Sequence, residues 1–255
     1  MSPTRNTGPA ERPLSARSLI ASLLLRTQPP RMRAARLVQW CALFGVSEGT
    51  ARVALSRMVD RGELRVNGGV YELVGRVRGR ASAQDWSLDP KPRRWRGEWR
   101  TALVVAPARA SADRAALRDA MRQLHYAELR EGVWTRPDNL PRAAGAADAW
   151  SVADAQCTWW TGAPDDDAHV LAVELFAPDE WARTAGRLRV ALARDGSLAD
   201  AFHAGAAALA HVRADPLLPA ALGPSADAGD ARRSAYREWE RTFADALRAR
   251  FRAQA

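Results

Sequence analysis

The sequence predicts an α+β multidomain protein, and three observations predict it. Residues Phe44 to Tyr71 read as turn, helix and glycine-tipped hairpin in that order. Residues 95–178 mix extended, β-prone stretches with amphipathic ones. Residues 179–255 carry almost purely helical periodicity. The expected layout is therefore a disordered tail (1–13), a first domain (14–75), a basic linker (76–94), a central domain (95–178) and a helical carboxy-terminal domain (179–255) suited to dimerisation.

In the first domain, Ser15 is a helix N-cap, with Leu14 and Leu19 spaced as a hydrophobic staple around it. Ala16, Leu19, Ile20, Leu23 and Leu24 then repeat at helical spacing. Pro29 and Pro30 end that element and start the next, a helix over 31–43 with Ala34, Leu37, Val38 and Cys41 inward and Arg31, Arg33 and Arg36 outward. Gly45 supplies the positive φ of a tight interhelical turn, and Ser47 caps the following helix. On that helix Ala51, Ala54, Leu55 and Met58 share one face, while Gly49, Arg52, Val53, Ser56, Arg57 and Asp60 share the other. After Gly62 the period becomes two. A two-residue turn at Gly68-Gly69 sets Leu64 opposite Leu73, Arg65 opposite Glu72 and Val66 opposite Tyr71. Three helices and a hairpin in this order make a winged helix-turn-helix. Its open face, with Ser47, Thr50, Arg52, Val53, Ser56, Arg57 and the wing residue Arg65, has the donors that phosphates and base edges in a major groove require.

Further along, Trp99 to Ala106 is a strand, Ala112 to Leu124 an amphipathic helix, and Tyr126 to Thr135 extended. Ala155 to Thr161 and His169 to Phe176 are two further candidate strands, and a helix starts at Pro178-Asp179 and runs to about Ala193. A β-α-β-β-α-β order of the ferredoxin-like type fits these pieces. Leu198 to Val212 and Asp230 to Phe251 follow as helices. Their aromatic stripes, Phe202 with Tyr236, Trp239 and Phe243, suit a bundle core or a dimer interface.

Composition agrees with a polyanion partner. The chain has 255 residues, a formal charge of +9 and a pI near 10.9. Lys91 is its single lysine, so the positive charge is nearly all arginine, a bias that a GC-rich genome alone would also give. Cys41 and Cys157 cannot form a disulfide framework, and the amino end has no hydrophobic leader, so a reduced, cytoplasmic protein with no membrane segment is expected.

Catalytic signatures are thin. The sequence has no phosphate-binding Gly-rich loop, no dinucleotide fingerprint and no nucleophile elbow, so it is read as a non-enzyme needing no cofactor. Asp165, Asp166 and Asp167 with His169 imitate a metal cluster, but three successive carboxylates after a proline read as a solvated loop, and no metal site is expected. Small CRISPR-associated nucleases share the central fold type and hold a metal with an aspartate ending their first strand. Here that strand ends Val105-Ala106-Pro107-Ala108, with no carboxylate.

Four motifs carry a family resemblance: Arg52-Val53-Ala54-Leu55-Ser56-Arg57-Met58 with Gly62, Trp95-Arg96-Gly97-Glu98-Trp99, Gly132-Val133-Trp134-Thr135-Arg136-Pro137, and Asp215-Pro216-Leu217-Leu218-Pro219. In this order, over about Leu14 to Phe251, the chain resembles the PaaX family of transcriptional repressors. The resemblance implies a winged helix, a ferredoxin-like domain and a helical domain, working as a homodimer on double-stranded DNA, with an inverted repeat as the expected site. It also implies repression of a catabolic operon such as phenylacetate degradation, relieved by an acyl-coenzyme A effector such as phenylacetyl-coenzyme A. Two departures stand out: Glu63, where an aromatic commonly follows the helix-ending glycine, and the acidic stretch 138–167. For an aryl or acyl thioester, Trp134, Trp159, Trp160 and Trp181 are candidate aromatic walls, and Arg136 and Arg183 candidate phosphate donors. Besides the regulator, two readings stay open: a metal-dependent nuclease on the ferredoxin-like domain, and a protein-binding adaptor whose winged helix does not touch DNA.

Overall fold

The computed structural model describes residues 15–27, 29–74, 87–106, 109–142, 146–223 and 226–253. They fall into two units, the chain dividing after Ala81.

The first unit contains α1 (Ala16–Leu25), β1 (Arg31–Arg33), α2 (Ala34–Ala42), α3 (Glu48–Asp60), β2 (Leu64–Asn67) and β3 (Val70–Leu73). Ser15 Oγ accepts from Ser18 N–H and starts α1; the staple partner Leu14 lies outside the described residues. The helical stripe does what its spacing predicts, burying Leu19, Ile20, Leu23 and Leu24 against α2 and α3. Trp40 adds a polar rivet to this core: its indole N–H donates to the Leu19 carbonyl at 2.9 Å, and its ring meets Phe44 edge-on.

One element differs from the reading above. The helix expected over 31–43 starts only at Ala34, because Arg31–Arg33 forms β1 and pairs antiparallel with β3. That pairing depends on residues forty positions away, so no local period announces it. The resulting sheet has the order β1-β3-β2. Leu64 faces Leu73, Arg65 faces Glu72 and Val66 faces Tyr71, the register that the Gly68-Gly69 turn dictates. Both turn glycines have positive φ, +54° and +73°, as a type I′ hairpin needs.

The second unit opens with β4 (Trp99–Val104), α4 (Ser111–Gln123), β5 (Ala127–Arg130), β6 (Val133–Pro137), α5 (Ala147–Asp154) and β7 (Cys157–Gly162). This is the ferredoxin-like β-α-β-β-α-β order, in an antiparallel sheet arranged β5-β6-β4-β7. Alternation puts Ala102, Trp134 and Cys157 on one sheet face, where they are buried with Leu117, Met121, Ala149 and Ala153 of the two helices. The pieces differ from expectation in three places. The extended run Tyr126 to Thr135 is two strands folded back at Gly132, whose φ is +78°. The helix in the second α position is α5, inside the acidic stretch 138–167, and not the one that starts at Pro178. His169–Phe176 is helix, not strand: α6 (Ala168–Phe176) is started by the Asp167 carboxylate, which accepts from His169 and Val170 N–H. Its run of Val and Leu looks β-prone, yet a good N-cap and one buried small residue, Ala172, suit a helix laid beside Trp99.

Three longer helices complete the unit: α7 (Pro178–Leu192), α8 (Leu198–Arg213) and α9 (Ala226–Arg252), packed on one another. The last begins four residues before the expected Asp230. Phe202, Tyr236, Trp239, Phe243 and Leu247 are all buried, as their spacing predicts. Gly205 is what lets α8 and α9 approach, since a Cβ there would lie 1.9 Å from the Trp239 ring. Of the stretch read as a linker, residues 75–86 lie outside the described residues. Residues 87–94 pack on this second unit: Leu88 is buried, its carbonyl accepts from Arg237, and Arg93 pairs with Asp138 at 2.7 Å.

No helix among the described residues is long and apolar enough to cross a membrane.

Candidate nucleic-acid interface

Two glycines and a serine define the ends of α3. Gly45, at φ +72°, turns the chain out of α2, and Ser47 Oγ then accepts from Thr50 N–H at 3.2 Å. At the other end Gly62, at φ +66°, closes the helix: Gly62 N–H donates to Val59 and Glu63 N–H to Met58, the paired bonds of a Schellman stop. Glu63, the departure from the family pattern, receives a 2.8 Å ion pair from Arg17 of α1, and this hydrogen bond raises the Arg17 pKa above its ordinary value. A charged tie thus joins α1 to the residue after the α3 stop.

Between these stops, α3 divides cleanly. Ala51, Leu55 and Met58 are buried; Ser47, Gly49, Thr50, Arg52, Val53, Ser56 and Arg57 are exposed. The seven residues expected to meet DNA are therefore on accessible surface, six on or capping α3 and Arg65 on the wing. Val53 is 51 % exposed, an apolar group on an otherwise polar face, of the kind that meets a thymine methyl. A Cβ at Gly49 would meet nothing within 4 Å, so close backbone approach there is open. Two of the arginines carry glutamate partners. Arg52 donates to Glu48 at 2.7 Å one turn earlier, and Arg65 stands 3.7 Å from Glu72 across the wing. Arg31 and Arg33 of β1 add two exposed guanidinium groups to the same unit.

The residues proposed for an effector do not come together in one place. Trp134 lies in the sandwich core. Arg136, also buried, spends its donors inside the fold: Nε on the Pro137 carbonyl, Nη1 on Leu124 and Nη2 on Asn139 Oδ1. Burial lowers its pKa to about 10, which leaves it cationic at neutral pH. Trp160 projects from the opposite sheet face and is 63 % exposed. Trp181 and Arg183 belong to α7, where the buried Trp181 stacks on His211 and Arg183 is exposed.

Trp159 joins a cluster that the sequence did not reveal, on the core that holds Trp134 and beside Arg136, whose guanidinium lies 5.8 Å from the Tyr126 ring. The Trp159 ring lies 5.3 Å from Trp150 and 5.4 Å from Tyr126. The Arg142 guanidinium sits 4.1 Å over Trp150, and Arg100 5.4 Å from Trp159. Asp154 ties the group together by accepting both Arg142 nitrogens at 2.8 Å and the Trp159 indole at 2.9 Å. Arg142 holds the Asp154 carboxyl below the usual carboxylate range. A small cleft, with room for about one water, adjoins and is lined by Leu124, His125, Tyr126, Arg136, Leu140 and Trp150. Sequence spacing could not reveal this cluster, because Arg142, Asp154 and Arg100 meet only through the sheet and α5. Only the recurring tryptophans hinted at it.

The end of β4 carries Val104, Val105 and Ala106 where a metal-holding aspartate would stand, beside a cleft lined by Arg109, Arg114, Arg118, Glu128 and Glu131. Asp167 of the acidic run is committed to capping α6, and those backbone bonds hold its carboxyl low.

A winged helix-turn-helix with an exposed arginine face, followed along the chain by a ferredoxin-like sandwich and a helical layer, defines a class of multidomain transcriptional regulator. Two family models match: that of the PaaX-like protein over residues 15–77 and that of the PaaX protein central Cas2-like domain over residues 92–162. A solved structure, the uncharacterized protein Rv0674 from Mycobacterium tuberculosis, is 34 % identical with a TM-score of 0.71, over 92 % of this chain and 98 % of that one. No curated protein matches. The chain belongs to the PaaX family, a family of transcriptional regulators.

Proposed function

We propose that this chain is a sequence-specific DNA-binding repressor of a catabolic operon, phenylacetate degradation being the pathway its family suggests. It works as a cytoplasmic homodimer and is released from DNA by an acyl- or aryl-coenzyme A effector. The observation that carries this reading is the division of α3. Its apolar residues are consumed by the core, while Thr50, Arg52, Ser56 and Arg57 stand together on a face that nothing among the described residues of the first unit covers. Two such helices, one from each protomer, enter successive major grooves of an inverted repeat about one helical turn or a multiple apart. Arg65 and the wing add phosphate contacts. An effector that prefers a different spacing of the two heads weakens binding by shifting the population of dimers. Trp159 with its cluster is the part of the effector set that adjoins a cleft; Arg136 supports that cleft from inside the fold.

The regulatory character of the family and the absence of a carboxylate at the end of β4 both favour a non-enzymatic role. Fluorescence anisotropy on the duplex upstream of its own gene, against a scrambled duplex at near-physiological salt, tests the reading. Selective binding that phenylacetyl-coenzyme A reverses is expected. Equal binding to both duplexes, or none, would contradict it, and selective binding that the thioester leaves untouched would contradict the effector alone.

A further inference from the structure

We propose that Glu48 is a positioning residue for Arg52, and that the pair, not the arginine by itself, sets base preference at one G·C pair. The inference rests on the DNA-binding reading above. A lone arginine on an exposed helix face loses much side-chain freedom when it docks on a base. Arg52 is already held. Its Nε donates to Glu48 Oε1 at 2.7 Å, and its Nη2 lies 2.7 Å from the same oxygen. Both contacts use the side edge of the guanidinium. The terminal edge, Nη1 with the second proton of Nη2, stays open, and it is the edge that forks onto O6 and N7 of guanine.

Three further features fit this role. Glu48 is the first residue of α3 and Arg52 lies one turn later, the order in which an i,i+4 acid–base pair is favourable and the acid complements the helix N-terminus. Both side chains are about 60 % exposed, 60 % for Arg52 and 62 % for Glu48, so the pair fills no core and ties no element to another. The position is also the end of the helix whose side chains reach base edges when such a helix lies in a major groove. Arg65 supplies the contrast. It is 3.7 Å from Glu72, beyond hydrogen-bond length, so no hydrogen bond among the described residues fixes its fork, and it suits a phosphate that needs charge and not orientation.

The test uses the full chain. Wild-type protein selects from a pool of randomised duplexes, and the enriched duplex and its single-base-pair variants are then titrated with wild type, Glu48→Ala, Arg52→Ala, the double variant and Arg65→Ala. Glu48→Ala should lose about tenfold of discrimination at one G·C pair while binding a scrambled duplex no more weakly. Arg52→Ala should lose discrimination at that same pair, and the double variant should be no worse there than Arg52→Ala. Arg65→Ala should weaken enriched and scrambled duplexes alike and flatten the salt dependence. Full discrimination by Glu48→Ala, a loss at a different base pair, or additive losses in the double variant would each overturn the proposal. Enrichment of no duplex by wild type would overturn the DNA-binding reading and this one with it.

Discussion

Arginine serves opposite purposes in the two units. In the first, Arg52, Arg57 and Arg65 stand in solvent around α3 and the wing, over a core made mainly of Leu, Ile, Met and Ala with Cys41 and Trp40. In the second, Arg136, Arg232 and Arg233 are buried within the fold. Arg233 reaches Asp215 Oδ2 at 2.5 Å, Leu217 N–H donates to the other oxygen of Asp215, and His125 Nδ1 contacts the Asp215 carbonyl at 2.7 Å. Because a carbonyl only accepts, His125 carries its proton on Nδ1. Asn139 continues the net from Arg136 to the Leu217 carbonyl at 2.8 Å. The family motifs Thr135-Arg136-Pro137 and Asp215-Pro216-Leu217 thus meet in one buried network joining the sandwich to the helical layer. The same residue type is left free to meet solvent or a partner in one unit and is a structural member in the other, and sequence alone does not tell the two apart.

The largest expected effect breaks that contrast at its buried end. Asp215→Ala leaves Arg233 buried without its main acceptor and should cost about 3–5 kcal/mol, read by urea denaturation. Arg57→Ala should stay within about 0.5 kcal/mol in the same assay. Comparable losses would mean that the two kinds of arginine do not differ as argued.

Acid should separate the units next. Burial pushes the His125 pKa down to about 3 and that of His211 down to about 4. The unfolded chain takes up these protons as pH falls through about 6.5, while the folded chain does so only near those lower values. Stability is therefore present at neutral pH and lost as pH falls from about 6.5 to 4, by at most about 1 kcal/mol per pH unit for the buried His125 and by less for His211, which solvent partly screens. Burial also raises the Asp215 carboxyl, which works in the opposite sense as the carboxylate range is approached. His125→Asn keeps a donor and tolerates the positive φ of 62° at this position, and should flatten the histidine part of the acid loss. An unchanged slope would show that His125 is not held neutral.

Smaller effects sharpen the comparison further. Gly205→Ala drives a methyl into Trp239 and should cost about 1–3 kcal/mol in thermal unfolding of the second unit, with the first unaffected. Ser47→Ala removes the α3 cap at the edge of its exposed arginine face and should cost about 1 kcal/mol in the first unit. Thermal scans following both units would find each substitution lowering both transitions together if the cores were shared.

Legibility followed the range of the interactions. The α3 stops, the apolar stripes of α1 and α3, and the wing register were readable because each is fixed within a few residues: Ser47 by Thr50, Gly62 by φ, and Val66 opposite Tyr71 by a two-glycine turn. The β1 strand was not, since Arg31 becomes extended only by pairing with Glu72. The apolar run at 169–176 satisfied a strand pattern as well as a helical one, and the Asp167 cap decided it. Arg136 was read as a phosphate donor because its carbonyl partners come from β6, α4 and the loop at Asn139, which meet only in the folded sandwich.

The most direct test of the contrast is arginine-specific dicarbonyl labelling of the full chain, mapped by mass spectrometry with and without the duplex that wild type selects. Arg52, Arg57 and Arg65 should react in the free protein and be protected when DNA is bound, while Arg136 and Arg233 should stay unreactive in both. Unchanged labelling of Arg52 and Arg57 on saturating duplex, or ready labelling of Arg136 in the folded free chain, would contradict the account.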